Sequence, residues 1–178
     1  IRLSHGYWME TKDSSIFDTD WREAMRLVVR TFKEQQRLEN NGPYKFERTT
    51  SWATDGVALG GYPAKKIGLI HSMFRPSDDA TVYPFLIPSN AFAFKSLEHL
   101  GDILESIKQD TDLRKSAYEL GKQLSEAMDK WSVVTGMNGK KIIAYEVNGF
   151  GSYNIMDDAN IPSLLSMPYL LGDYVSGK

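Results

Sequence analysis

Two short acidic clusters hold the residues best suited to chemistry. The first, Arg75-Pro76-Ser77-Asp78-Asp79-Ala80, lies between Met73-Phe74 and the apolar run Phe85-Leu86-Ile87. Two adjacent carboxyls beside a guanidinium, set between segments expected to be buried, are placed for desolvation and a neighbouring cation to push their proton affinities apart, so that one can stay protonated. The second cluster is Asp157-Asp158-Ala159-Asn160. The same residue types also start helices, and both clusters suit N-caps, the second with Pro162 placed for a first helical turn. Together, two Asp-Asp-Ala clusters on loops at helix starts would let carboxyls converge at one rim of a helical assembly. Acid/base cleavage of a glycosidic bond needs such an arrangement.

Other chemistries are weakened by residue type and spacing. The chain has no cysteine, hence no thiolate nucleophile, disulfide or sulfur-ligated zinc. His5, His71 and His99 lack the spacing of metal ligands, so neither a metal nor another cofactor is expected. Gly149-Phe150-Gly151-Ser152 is neither a nucleophile elbow nor a dinucleotide fingerprint, and Gly60-Gly61 lacks the Lys-Ser/Thr of a phosphate loop. Trp8, Trp52, Tyr62, Tyr83, Tyr145 and Tyr153 fall near loops, where an aromatic face can stack on a sugar ring; Trp21 and Trp131 follow helical spacing and belong with the core.

The elements that must position these clusters are mostly helical. Trp21, Met25, Val28 and Phe32 recur at three- and four-residue steps, predicting an amphipathic helix from Thr19 to Glu39, capped by Asp18, Thr19 or Asp20 and stopped at Asn40-Asn41-Gly42-Pro43. A second helix is expected from Ala91 to Lys108, capped by Ser89 or Asn90. A third, capped by Thr111, has its seam from Leu113 to Val134 and stops at Gly136. The short link between these two forces an antiparallel helical hairpin. Lys140 to Val147 and Phe150 to Tyr153 read as a small β-hairpin about Asn148-Gly149, and a last helix starts at Asn160 until Pro168 ends or kinks it. Between the first two helices, Tyr44 to Ser89 is a long irregular segment, a kind that is usually functional.

With 178 residues and a formal charge of −2, the chain offers no basic surface for nucleic acid. No apolar run approaches the roughly 18 to 20 residues of a membrane span, so the chain reads as soluble. Ile1-Arg2-Leu3-Ser4 lacks an initiator Met and a signal-peptide pattern, and reads as the middle of something longer. No repeat or second domain is visible, and compartment and oligomeric state are left open.

Longer strings carry a family resemblance. Gly68-Leu69-Ile70-His71-Ser72-Met73-Phe74-Arg75-Pro76-Ser77-Asp78-Asp79-Ala80, continuing through Phe85 to Ala93, resembles the central signature of glycoside hydrolase family 125. So do Ala144-Tyr145-Glu146-Val147-Asn148-Gly149-Phe150-Gly151 and Met156 to Leu170, with Tyr7-Trp8 and Ser15-Ile16-Phe17-Asp18 as a further match. The resemblance implies an all-α (α/α)6 barrel carrying a small β-hairpin insertion, and a metal-independent, inverting exo-α-1,6-mannosidase acting on terminal mannose of an oligosaccharide or N-glycan. It implies a general acid at Asp79 or Asp78, with Asp79 favoured. His71, Arg75, Asn90, Asp157, Asp158 and Asn160 would bind the sugar or orient the acid. A twelve-helix barrel takes about 350 residues at roughly 30 per helix with its connection. Residues 1–178 are therefore expected to form one part of such a domain, with its N- and C-terminal parts absent. The base would be a Glu beyond Lys178, nothing marks Glu146 as that base, and the piece alone would be inactive. The rival reading is a non-catalytic glycan-binding or helical scaffold module.

Overall fold

The computed structural model describes residues 1–44 and 46–172. Among these, five α-helices form, with a short 3-10 turn at Ala53–Asp55: α1 (Arg2–Thr11), α2 (Thr19–Gln36), α3 (Ile87–Ser106), α4 (Thr111–Trp131) and α5 (Met167–Leu171). Five short strands accompany them: β1 (Phe85–Leu86), β2 (Val133–Thr135), β3 (Lys141–Ile143), β4 (Glu146–Val147) and β5 (Tyr153–Asn154). The architecture is thus mainly helical with a small β component. The described residues form a helical hairpin with flanking helices, not a closed barrel.

The hairpin of α3 and α4 is the centre of the core. Leu97, Leu100 and Leu104 on α3 and Ala117, Leu120 and Leu124 on α4 are all fully buried. Gly101 of α3 leaves room for the Tyr118 ring of α4, since a Cβ there would overlap Tyr118 Cε1. α2 packs on α4 through Met25 and Val29, and its start is fixed by Asp18, whose carboxylate accepts the Trp21 amide at 2.8 Å. It ends before the expected Asn40 because Arg37 takes a left-handed conformation and its amide returns to the Glu34 carbonyl.

Several boundaries differ from expectation, each for a local reason. α3 starts at Ile87, not Ala91, with Pro88 in the first turn, where its missing N–H costs nothing. Neither Ser89 nor Asn90 caps it. Asp110 rather than Thr111 caps α4, its carboxylate accepting the Leu113 amide at 3.4 Å. α4 stops at Trp131 because the β-branched Val133-Val134-Thr135 leaves the helix and pairs antiparallel with Lys141–Ile143 across the Asn138-Gly139 turn.

The expected hairpin about Asn148-Gly149 forms, with Glu146 opposite Asn154 and Val147 opposite Tyr153. It gains β1 as a third strand, Leu86 pairing with Glu146 and Phe85 with Val147. No helix starts at Asn160. The Asp157 carboxylate takes the amides of Leu164 and Leu165 at 2.8 and 3.0 Å, closing a turn, and α5 begins only at Met167 with Pro168 in its first turn. α1 had no counterpart in the sequence pattern. None of its residues is buried, and it meets α3 through the His5 ring, stacked on His99 at 3.8 Å. No helix among the described residues is long and apolar enough to cross a membrane.

Candidate active site

The Arg75-to-Asp79 cluster sits at the tip of a narrow tongue. Its sides are joined by the Ser72 amide to the Pro84 carbonyl at 2.7 Å, the Thr81 amide to Met73 at 3.1 Å, and a bridge between Phe74 and Ala80. At the tip, the Arg75 amide donates to the Asp79 carbonyl at 2.8 Å and the Asp78 amide to Arg75 at 3.0 Å, with Asp78 left-handed at φ 69°.

Glu146, on β4 and fully buried, holds the root of this tongue. It accepts from Arg75 Nε at 2.7 Å on one oxygen. Its other oxygen accepts from Arg75 Nη2 at 3.2 Å, the amides of Val82 and Tyr83 at 3.2 and 3.3 Å, and Asn154 Nδ2 at 3.3 Å. Burial works against the Arg75 charge, but the Glu146 carboxylate more than offsets it, so the guanidinium pKa is raised. Tyr145, adjacent on the chain, is fully buried, and its hydroxyl has no hydrogen-bond partner. Burial first, then the Asp158 charge, pushes its phenol up, so it stays protonated.

The two acidic clusters do converge. Ser77 Oγ donates to Asp79 Oδ2 at 2.7 Å, and Ser77 also stands beside Asp158. Ser77 first, then the Asn160 amide, lowers the Asp158 pKa. Asp158 Oδ1 accepts from the Asn160 amide at 2.8 Å and from its Nδ2 at 3.0 Å. Ser77 with Asp79, and Asn160 with Asp158, are therefore two hydrogen-bonded pairs that meet at Ser77, with Arg75 close enough to feel the Asp79 charge. Asp157 is adjacent in sequence, with both of its oxygens already taken by Leu164 and Leu165.

One expectation is corrected. Asp78 and Asp79 are not walled in by the apolar segments around them; both are exposed, the Asp78 side chain to 89%. The tight turn projects them from the tip, while Phe85, Leu86 and Ile87 are buried beyond its base. His71 and Asn90 lie at that base, with no hydrogen bond joining them to the carboxyl group at the tip. Asn90 is buried, its amide bonding the Ile70 backbone in both directions, at 2.7 and 3.1 Å, and the Leu86 carbonyl at 2.9 Å. His71 lines a cavity of about 560 Å3 together with Arg37, Gly60, Gly61, Tyr62 and Phe85. Its Nδ1 is buried without a partner, and burial, then Arg37, pushes its pKa down to about 4. Among the described residues no group of three or more His, Asp or Glu could hold a metal ion.

Neither Glu146 nor Ser77 had an expected role in holding this site, and Tyr145, expected among the rings open to a sugar, is fully buried. An acidic residue between an apolar Tyr and Val in a short strand was a usable signal for Glu146, since a carboxylate buried in a strand must be paired.

Residues 1–176 match the family of metal-independent α-mannosidases, glycoside hydrolase family 125. The chain is 38% identical over 181 residues to the meiotically up-regulated gene 157 protein of Schizosaccharomyces pombe, covering 96% of this chain and 35% of the yeast protein. A solved Streptococcus pneumoniae structure, from work on metal-independent α-mannosidases and in a non-productive complex with α-1,6-mannobiose, superposes with a TM-score of 0.89 at 34% identity. That alignment covers 95% of this chain and 40% of the streptococcal one. The chain thus spans 35 to 40% of the length of these relatives.

Proposed function

Because the chain belongs to glycoside hydrolase family 125, the metal-independent α-mannosidases, we propose that it works within an inverting exo-α-1,6-mannosidase that removes terminal mannose from an oligosaccharide or N-glycan. The α-1,6 linkage draws its support from the mannobiose bound by the streptococcal relative. The observation that carries the reading is that Ser77, whose hydroxyl bonds Asp79, also stands beside Asp158 of the second cluster. It favours Asp79 over Asp78, whose side chain points to solvent.

In this mechanism Asp79 gives its proton to the glycosidic oxygen as the C1–O bond breaks. A water on the opposite face loses a proton to a carboxylate and attacks C1, the two carboxyls standing about 6.5 to 9.5 Å apart. Glu146 is not that base, since its oxygens already accept five hydrogen bonds. By the family resemblance the base is a Glu beyond Lys178, so residues 1–178 alone are expected to lack turnover. Asp158 and Asn160 hold hydroxyls of the terminal mannose, Arg75 and Asp157 fix the loops that carry them, and His71 offers its free Nδ1 to a sugar hydroxyl while Asn90 fixes the backbone beside it. Asp79, open to water in the free chain, is covered by the sugar it protonates.

The exposure of both carboxyls favours a second reading, a glycan-binding module without turnover. Hydrolysis of α-1,6-mannobiose by the full-length enzyme separates the two. Asp79→Asn is expected to lower kcat about 10²- to 10⁴-fold, and Asp78→Asn much less. Near-normal cleavage by Asp79→Asn refutes the assignment, and mannobiose binding with no cleavage by the unaltered enzyme supports the second reading.

A further inference from the structure

We infer that Arg48 and Asp55 are positioning residues for the proton donor: they grip the backbone on both sides of Asp79 and fix where its carboxyl points. The inference rests on Asp79 being the donor. Arg48 Nη1 donates to the Asp78 carbonyl at 2.9 Å, and Asp55 Oδ1 accepts the Ala80 amide at 3.1 Å. The peptide groups before and after Asp79 are therefore both held by residues from the long irregular segment, outside the motif that carries the family resemblance. The same Nη1 stands 3.6 Å from the Asp78 carboxylate.

The clamp is rigid in its own right. Arg48 and Asp55 form an ion pair, Arg48 Nε donates to the Asp55 carbonyl at 3.0 Å, and the guanidinium lies over the Phe74 ring at 4.5 Å. Backbone bonds of 3.0 and 2.9 Å between Arg48 and Val57 anchor it from behind. A planar guanidinium holds several acceptors in one fixed geometry, which a flexible ammonium cannot do.

The geometry gives the clamp work to do. Asp78 is left-handed, a conformation uncommon for a residue with a Cβ although Asp adopts it more readily than most, and Arg48 bonds its carbonyl in that conformation. The tip it holds is exposed, so the contacts there cover no core. What they restrain is the direction of the Asp79 side chain, which Ser77 then completes. A displacement of about 1 Å in a catalytic group can cost on the order of 100-fold in rate.

The test uses the full-length enzyme and two α-mannosides. α-1,6-Mannobiose needs a proton on its leaving oxygen; a 2,4-dinitrophenyl mannoside leaves without one. Arg48→Met and Asp55→Ala are expected to lower kcat on mannobiose about 10- to 100-fold, with KM little changed and a loss on the aryl substrate about tenfold smaller. Equal losses on both substrates, or no loss, overturn the inference. Should Arg48→Met not fold, Arg48→Lys, which keeps the charge but not the fork, makes the same comparison. Asp79→Asn, run in parallel, separates the two levels. If it shows the leaving-group dependence and the clamp variants do not, the clamp alone falls; if it shows none, the donor assignment falls, and the clamp with it.

Discussion

Replacing Glu146 by Gln tests whether one buried carboxylate holds the candidate acid loop. The residue is fully buried, and the Arg75 side chain paired with it is only 10% exposed. Four donors converge on one of its oxygens and a fifth on the other, so an amide would turn an NH2 group toward donors and leave the guanidinium without a counter-charge. Removing one partner of a buried pair costs about 3 to 5 kcal/mol. At about 2 to 4 °C per kcal/mol for a chain of this size, Tm should fall by roughly 6 to 20 °C. Thermal unfolding followed by far-ultraviolet circular dichroism measures it. The double variant Glu146→Gln with Arg75→Met also removes the stranded cation, and should lose less than the sum of the single losses. A single-variant loss below about 1 kcal/mol, or strict additivity in the double, would refute the clamping role given to Glu146.

Stability should also fall in mild acid. Burial first, then Arg37 for His71 and His5 for His99, pushes both imidazoles from 6.5 down to about 4 in the fold. The unfolded chain therefore binds protons first, and the stability that is complete above about 6.5 is lost as pH falls toward 4. Tm measured from pH 7 to 4.5 should decline, and less steeply in His99→Phe; a flat profile contradicts the burial argument. Gly149→Ala should destabilise by about 2 kcal/mol or more, since φ is +78° and a Cβ would stand 2.7 Å from Ile67 Cγ2 and 2.9 Å from Lys65 Cβ. Denaturant unfolding checks this, and a midpoint within error of the parent would show that the turn can relax.

Much of the helical frame was legible because its signals are local. The period of Met25 and Val29, the Asp18 cap and the seam from Leu113 to Ala127 each lie within a few residues of what they determine. The Asn148-Gly149 hairpin was legible for the same reason. Elements set by distant partners were not. β1 is a strand only because Glu146 and Val147 lie beside it, and Val133-Val134 left the helical pattern for partners eight to ten residues on. Asp157, with the residue types of a helix start, instead caps a turn seven residues away.

For the site, the two acidic clusters could be picked out by residue type and family resemblance, and the structure brings them together at Ser77. Their solvent exposure went against the sequence reading, because neighbouring apolar residues say what a chain segment buries but not which way a turn at its tip faces. What the sequence determined by itself is the helical hairpin, the chemistry available and the family. Only the tertiary structure decided that Glu146 lies beneath Arg75, 71 positions away, and that Arg48 and Asp55 bracket Asp79. A hydrogen bond between distant residues depends on where the packed core puts their backbones, and no local pattern records that.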